Sequence, residues 1–359
     1  MGPSRWHVDK PLLYALLLLA ALSLAIVYSA SAKDESVTLA HFARMAFGFA
    51  VLIGVAQMRP ELLERAAPWI FGLGLVLLAA VLGIGAVSKG AQRWLGLGPL
   101  RFQPSEIMKI GVPLMLAWFL ARGGLPPTWP RIGLALVITL VPAAMIARQP
   151  DLGTALLIVT SGLLVLFLAG LPKRFIVVAL ALAAAAAPLL WSRLHGYQRN
   201  RILTLLDPQA DPLGTGYHTI QSVIAIGSGG FYGKGWLNST QAHLEFLPES
   251  ATDFIFAVFG EEFGLIGIVL AIALYGFIAA RALLIAFYAQ DSFTRLLAGG
   301  IALGFFLQFF VNIGMVVGIL PVVGVPLPMM SYGGSSILAL LAGFGMLMSI
   351  QTHRKIVEL

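Results

Sequence analysis

Residues 241–264 read QAHLEFLPESATDFIFAVFGEEFG, and the class of the whole chain follows outward from this stretch. Three acids, Glu245, Glu249 and Asp253, lead straight into an apolar run of Phe254, Ile255, Phe256, Val258 and Phe259. Asp253 stands at the seam. Only 11% of the residues are charged, so a carboxylate kept where loop becomes apolar helix needs a reason. Two are open: a helix N-cap or interfacial anchor, and a functional group at the edge of a bilayer, where ionisable side chains are rare and tend to carry function.

The composition around that seam is that of a membrane protein. Of 359 residues, 59% are hydrophobic, and the mean hydropathy is +0.90; soluble domains carry about 25% charged residues. A spanning helix needs about 20 mainly apolar residues. Ten stretches qualify, at 11–31, 40–58, 67–88, 104–121, 130–147, 152–171, 174–191, 263–288, 296–320 and 331–352. The expectation is an all-α polytopic membrane protein, a single integral membrane domain over 1–359. The first span has Arg5 and Lys10 before it and small residues after it, as a signal peptide would; nine further spans with no soluble domain favour a retained helix.

An even number of spans puts both termini on one side. With the N-terminus inside, inner segments hold twelve basic residues against six in the short outer segments. Short loops set orientation by this bias, so both termini are expected to be cytoplasmic. Lys89, Arg93, Arg101 and Arg148 then remain in short outer loops, which a bound anion would explain. There are no cysteines, which excludes disulfides, thiolate metal sites and a cysteine nucleophile. The net charge of +7 is spread over many loops and forms no basic tract, so nucleic-acid binding has no support.

One long extracytoplasmic loop, 192–262, separates the seventh and eighth spans. Loops longer than about 12–15 residues are usually functional or disordered, and this one is not of low complexity. Within TGYHTIQSVIAI, residues Tyr217, Ile220, Val223 and Ile224 fall at helical spacing, as in a helix lying in the interface. GSGGFYGKGW resembles a phosphate-binding loop only superficially, because Ser228 replaces the first glycine and Gly235 the hydroxyl residue after Lys234.

Four constellations carry candidate chemistry. In KGAQRWLGLGPLRFQPSEIMKIGVP (89–113), Pro104 suits the first turn of a helix. Ser105 follows it, and Gln103, Glu106 and Lys109 share one face at three-residue spacing. That face is either a structural ion pair or a polar site, with Arg93 as an anion contact, since the guanidinium fork suits phosphate. In ARQPDLGTAL (147–156), Arg148 and Asp151 flank a proline; a capped interhelical hairpin is the simpler reading. Arg199 and Arg201 open the long loop, as surface anchors or as anion contacts. In FVNIGMVVGILPVVGVPLPMMSYGGSS (310–336), three prolines and Gly333-Gly334 predict a broken or re-entrant segment, which membranes tolerate only inside protein or beside a wet cavity.

The stretches GAQRWL, FQPSEIMK, RQPDLGTA, YQRNRI, FLPESATDFIFAV and PLPMMSYGGSS resemble, in this order and over nearly the whole chain, the SEDS family (shape, elongation, division and sporulation), and its elongation members more than their division paralogues. At Ser250-Ala251 the chain lacks a histidine that family members more often carry, so no histidine role transfers there. The resemblance implies a ten-span peptidoglycan glycosyltransferase of the bacterial cytoplasmic membrane, with its site facing outside. It would polymerise lipid II, a disaccharide-pentapeptide on undecaprenyl pyrophosphate, with a class B penicillin-binding protein in the elongation complex. An α-linked donor giving a β-linked product needs one displacement with inversion, hence one carboxylate as general base and positive charge at the leaving diphosphate. Asp253 is the candidate base, and Glu106 and Lys109 complete the catalytic set. Arg93, Gln103, Ser105, Arg148, Arg199, Glu249 and Ser331 are candidate substrate contacts. A divalent cation, Mg or Mn, would assist the leaving group, although no ligand set is visible. The competing expectations are a lipid II flippase and a scaffold for a partner enzyme.

Overall fold

A computed structural model of the chain describes residues 6–88, 91–97, 100–172, 196–207, 216–244, 246–247 and 249–354, with isolated positions between 174 and 192 and at 209. Its helices are α1 (Lys10–Ala30), α2 (Glu35–Ala56), α3 (Pro60–Ile84), α4 (Pro104–Ala121), α5 (Trp129–Arg148), α6 (Leu152–Leu168), α7 (Gly196–Leu206), α8 (Tyr217–Gly229), α9 (Thr240–His243), α10 (Ile255–Phe287), α11 (Ser292–Val316) and α12 (Ser335–Thr352). Eight of them, α1 to α5 and α10 to α12, are long and apolar enough to cross a membrane, and α6 is a shorter apolar helix of 17 residues. Nine of the expected spans overlap these helices; half the positions of the seventh, 174–191, fall outside the described residues.

The helix starts follow local chemistry. Asp9, Asp34, Asp151 and Asp291 each cap a helix by accepting a backbone N–H of its first turn. Pro60 and Pro104 sit in first turns, where a missing N–H is harmless. Several boundaries differ from expectation. The third helix starts at Pro60 rather than 67, and a helical segment from Ile255 precedes the eighth span, whose long part, 265–287 after a break at Gly264, agrees with the expected 263–288. The last helix starts at Ser335 rather than 331, because 317–334 runs as the irregular chain its prolines predict.

Residues 86–102, expected to be a span end and a polar loop, form a three-stranded antiparallel sheet. Its strands β1 (Ala86–Ser88), β2 (Ala91–Leu97) and β3 (Leu100–Phe102) lie in chain order, with Leu95 opposite Phe102 and Leu97 opposite Leu100. The sheet lies on α3 and at the N-terminal end of α4.

Helix α4 is the centre of the bundle, in contact with α3, α5, α6, α11 and α12. Helix α12 lies along α2, and α1 bridges α2 and α10. Large apolar side chains are also exposed on the outer surface, among them Leu17, Phe47, Val76, Leu140, Leu156 and Leu270. Helices that are apolar on both inner and outer faces suit lipid rather than water. The rings of His7 and His353 stack at 3.8 Å, so the two ends of the described chain meet at one end of the bundle.

Candidate active site

Asp253 lies in the turn that delivers the long loop into α10. Phe254, not Asp253, is the N-cap, which sets aside the capping explanation. The turn starts at Glu249, exposed and in the left-handed region at φ 60°; its carboxylate accepts from the Thr252 hydroxyl at 2.8 Å. The rest of the turn hangs on the irregular segment before α12. Asn312, fully buried in α11, donates to the carbonyls of Asp253 (3.0 Å) and Val325 (2.7 Å). Ser331 Oγ donates to the Thr252 carbonyl (2.5 Å) and accepts from Leu327 N (2.8 Å). Tyr332 N donates to the Ala251 carbonyl at 2.8 Å. Backbone carbonyls are thus held while the Asp253 side chain stays half-buried and faces Gly324, where even a Cβ would stand 3.4 Å from Oδ2. Gly324 has φ 72°, in the region that favours glycine. Behind the turn, the His218 ring of α8 stacks on Phe254 at 5.6 Å. Burial pushes its imidazole below the usual 6.5, with the charge of Glu249 pulling the other way.

Glu106 and Lys109 meet as their spacing predicts. They pair at 2.7 Å on the first turns of α4, with side chains only 6% and 9% exposed. Together with Gln308 and Ser336 they form the polar part of a partly open cleft between α4, α11 and α12; Phe305 and Leu340 belong to its apolar part. Asp253 is not among the residues lining this cleft. The two features share their supports: Asn312, which holds Asp253, lies one turn beyond Gln308 on α11, and Ser331 precedes the Ser336 end of α12. Ser105, also buried, has an Oγ with no partner among the described residues.

The other candidates occupy different positions. Arg93 in β2 donates to the carbonyls of Gln149 (3.3 Å) and Pro150 and pairs with Asp151 at 3.7 Å. Gln103 donates to the same Asp151 carboxylate at 3.2 Å. These contacts pin the sheet to the α5–α6 turn, and Asp151 caps α6 as the hairpin reading expected. Arg148 is exposed at the end of α5. Arg199 in α7 donates to the carbonyls of Trp191 (3.0 Å) and Ser192 (2.8 Å). The side chain of Arg201 lies outside the described residues.

Sequence reasoning passed over two acids one helical turn or more into α10. Glu261 and Glu262 are 0% and 1% exposed. Glu261 accepts from Lys234 Nζ at 2.6 Å, and Glu262 accepts from Ser29 of α1. The signal was present, since paired carboxylates inside an apolar helix are costly unless partnered; their partners, in a loop and in α1, were not readable. Among the described residues, no three His, Cys, Asp or Glu side chains group as metal ligands.

A multi-pass helical membrane protein with buried polar groups gathered around one broken segment is the class these features define. The profile of the FtsW/RodA/SpoVE family, described as cell cycle proteins, matches residues 9–356. The chain belongs to this family, the SEDS family. It is 54% identical over 353 residues to the peptidoglycan glycosyltransferase MrdB of Escherichia coli, covering 98% of this chain and 95% of the relative. It is 31% identical to the peptidoglycan glycosyltransferase RodA of Treponema pallidum, over 96% of this chain and 98% of that one. A solved structure reported as structural coordination of polymerization and crosslinking by a peptidoglycan synthase complex matches with a TM-score of 0.84 at 35% identity, over 96% of this chain and 97% of that one. The Thermus thermophilus rod shape determining protein RodA matches with a TM-score of 0.74 at 30% identity, covering 97% of this chain and 98% of that one.

Proposed function

We propose that this chain is a peptidoglycan glycosyltransferase that polymerises lipid II into glycan strands during cell-wall elongation. The observation that carries the reading is its relation to MrdB over nearly the full length of both chains. The elongation role is supported over the division role by the same comparison, since the FtsW of Geobacter metallireducens is 39% identical and matches 81% of this chain. MrdB, the Treponema RodA and the Geobacter FtsW all carry the glycosyltransferase name, so a lipid II flippase is the weaker reading.

In the reaction, the 4-hydroxyl oxygen of an acceptor sugar attacks the anomeric carbon of the donor. The new C–O bond forms as the bond to the lipid diphosphate breaks, with inversion. The hydroxyl proton passes to the carboxylate of Asp253, which lies half-buried beside Gly324. The departing diphosphate needs positive charge, which Lys109 supplies from the cleft, with Glu106 orienting its ammonium. Glu249 and Ser331 act on the turn that carries Asp253. Arg93 and Gln103 set the sheet over the N-terminal end of α4, with Ser105 beneath it, while Arg148 and Arg199 offer charge for the substrate at greater distance. A divalent cation carried by the diphosphate would add to the positive charge there.

The same reading places the chain as ten spans in the bacterial cytoplasmic membrane, both termini cytoplasmic and the loop 192–262 outside. The adjacency of His7 and His353 supports termini on one side. A class B penicillin-binding protein is the expected partner, supported by the likeness to a synthase complex that couples polymerization to crosslinking.

The test is polymerisation of lipid II by purified protein in detergent. Wild type is expected to give glycan polymer, and Asp253→Ala none, with an unchanged gel-filtration profile. Polymer from Asp253→Ala would overturn the assignment of the base; headgroup flipping in sealed vesicles without polymer would favour the transporter.

A further inference from the structure

Helix α10 is not one rigid rod. Gly264, at φ 63° and ψ −163°, interrupts it, so the short outer segment 255–263 is separated from the long inner segment 265–287. Asp253 directly precedes the short segment. What aims that segment must lie outside its own helix, because the break removes the continuity that would otherwise fix its tilt.

One end of the segment is held by Asn312 and Ser331. The other end is held by Glu261. Its carboxylate, 0% exposed, accepts from Lys234 Nζ (2.6 Å), Ser239 Oγ (2.5 Å), Thr240 Oγ1 (2.7 Å), and the backbone nitrogens of Thr240 (3.1 Å) and Gln241 (3.3 Å). These five donors all come from one stretch of the long loop, 234–241, and Ser228 Oγ of α8 adds a sixth at 3.4 Å. The backbones are zipped alongside. Lys234 N donates to the Glu261 carbonyl and Gly235 N to that of Glu262, both at 3.0 Å, while Leu265 N reaches back across the break to the Gly230 carbonyl at 3.0 Å. The loop is tied in turn to α1, where Trp236 Nε1 donates to the Ala25 carbonyl at 3.0 Å. A buried charge with this many donors is a fixed point, since each lost donor leaves part of a desolvated carboxylate unsatisfied.

We infer that Glu261 and Lys234 form a positioning pair for the transfer reaction, bolting the long loop to the outer segment of α10 so that Asp253 is held at the angle proton abstraction requires. The inference rests on the reading of Asp253 as general base. Glu261 touches no reacting atom; it acts through the tilt of the segment. Glutamine at 261 keeps the shape but removes the charge that Lys234 pairs with and turns an acceptor oxygen into an amide donor facing the Gln241 nitrogen, so the bolt is weakened without creating a cavity.

The experiment compares wild type with Glu261→Gln, Lys234→Met, Glu261→Gln/Lys234→Met and Lys234→Arg, as full chains in detergent with lipid II. Polymerisation is measured on the monodisperse folded fraction, well below each Tm. The expected result is a fall in kcat of about 10- to 100-fold in the first three variants, the scale of a small misplacement of a reacting group. KM is expected to stay near the wild-type value, the acid limb of the kcat–pH profile to move, and Lys234→Arg to keep most of the activity. The double variant, with both charges gone, should regain Tm relative to Lys234→Met while kcat stays low. A folded fraction with wild-type kcat, or a lowered kcat with an unmoved acid limb, overturns the inference and leaves the pair a stabilising contact. Wild type and Asp253→Ala run alongside: if wild type makes no polymer, the glycosyltransferase reading itself fails, a result distinct from failure of the pair.

Discussion

A carboxylate and an ammonium buried together in one cleft must be judged together. Removing Lys109 alone strands the Glu106 charge in a cleft where its side chain is 6% exposed, and breaking such a buried pair costs about 3–5 kcal/mol. Lys109→Met is therefore expected to lower Tm sharply in a thermal melt, while Glu106→Gln/Lys109→Met loses far less. Both variants should fail to polymerise, because the charge offered to the diphosphate is gone in each. His218 makes a second prediction, through pH. Its folded-state value lies below the usual 6.5 because of burial, so the unfolded chain takes up a proton first as pH falls. Its contribution is complete above about pH 6.5 and is lost as pH drops below that value. Melts between pH 7.5 and 5 should show this decline, and His218→Phe, which keeps the stack on Phe254, should flatten it. At this scale the sequence was partly legible. Glu106 and Lys109 declare themselves by three-residue spacing in an apolar run. Arg93 does not, because its acceptors at Gln149 and Pro150 are 56 and 57 residues away and are backbone carbonyls, which no side-chain pattern reveals. Asp253 was singled out by its place at the seam, but its turn is tethered from far along the chain: Asn312 stands 59 residues from Asp253, and Ser331 79 residues from Thr252.

Secondary-structure elements were legible where length and apolarity decide them, and less so where a single residue does. Helices α1, α5 and α11 follow from long, mainly apolar runs with an aspartate or proline at the start. The small sheet was missed because its strands are three to seven residues long and their pattern is too short to stand out from a polar loop. The break in α10 was missed because one glycine in an apolar run usually continues the helix. Gly264→Ala tests that break. A Cβ there would run into the Gly233 nitrogen and stand 2.8 Å from the Phe231 carbonyl oxygen, on a residue already at positive φ. The combined penalty is at least about 2 kcal/mol. The loop around 230–236 should detach, and limited proteolysis should cut it faster than in wild type, together with a lower Tm.

Over the whole molecule, hydropathy foretold the membrane class, while sidedness rests on a modest charge bias and calls for a direct measurement. The absence of cysteine makes this simple, because any introduced thiol reports alone. Leu244→Cys, on the exposed part of the long loop, should react with an impermeant maleimide added to intact cells. Arg354→Cys should react only after the membrane is opened. Labelling in the opposite order would invert the topology and move the site indoors. The packing order of the helices carries a last consequence. Helix α12 lies along α2, with Leu341 against Gly48 and Leu52 and Val55 against Gly345. Helix α2 thus waits for α12, made about 280 residues later, before its inner face is covered. A nascent chain stalled short of residue 335 carries an open seam through the bundle, and membrane proteases that survey unfinished proteins should clear it while sparing the completed product.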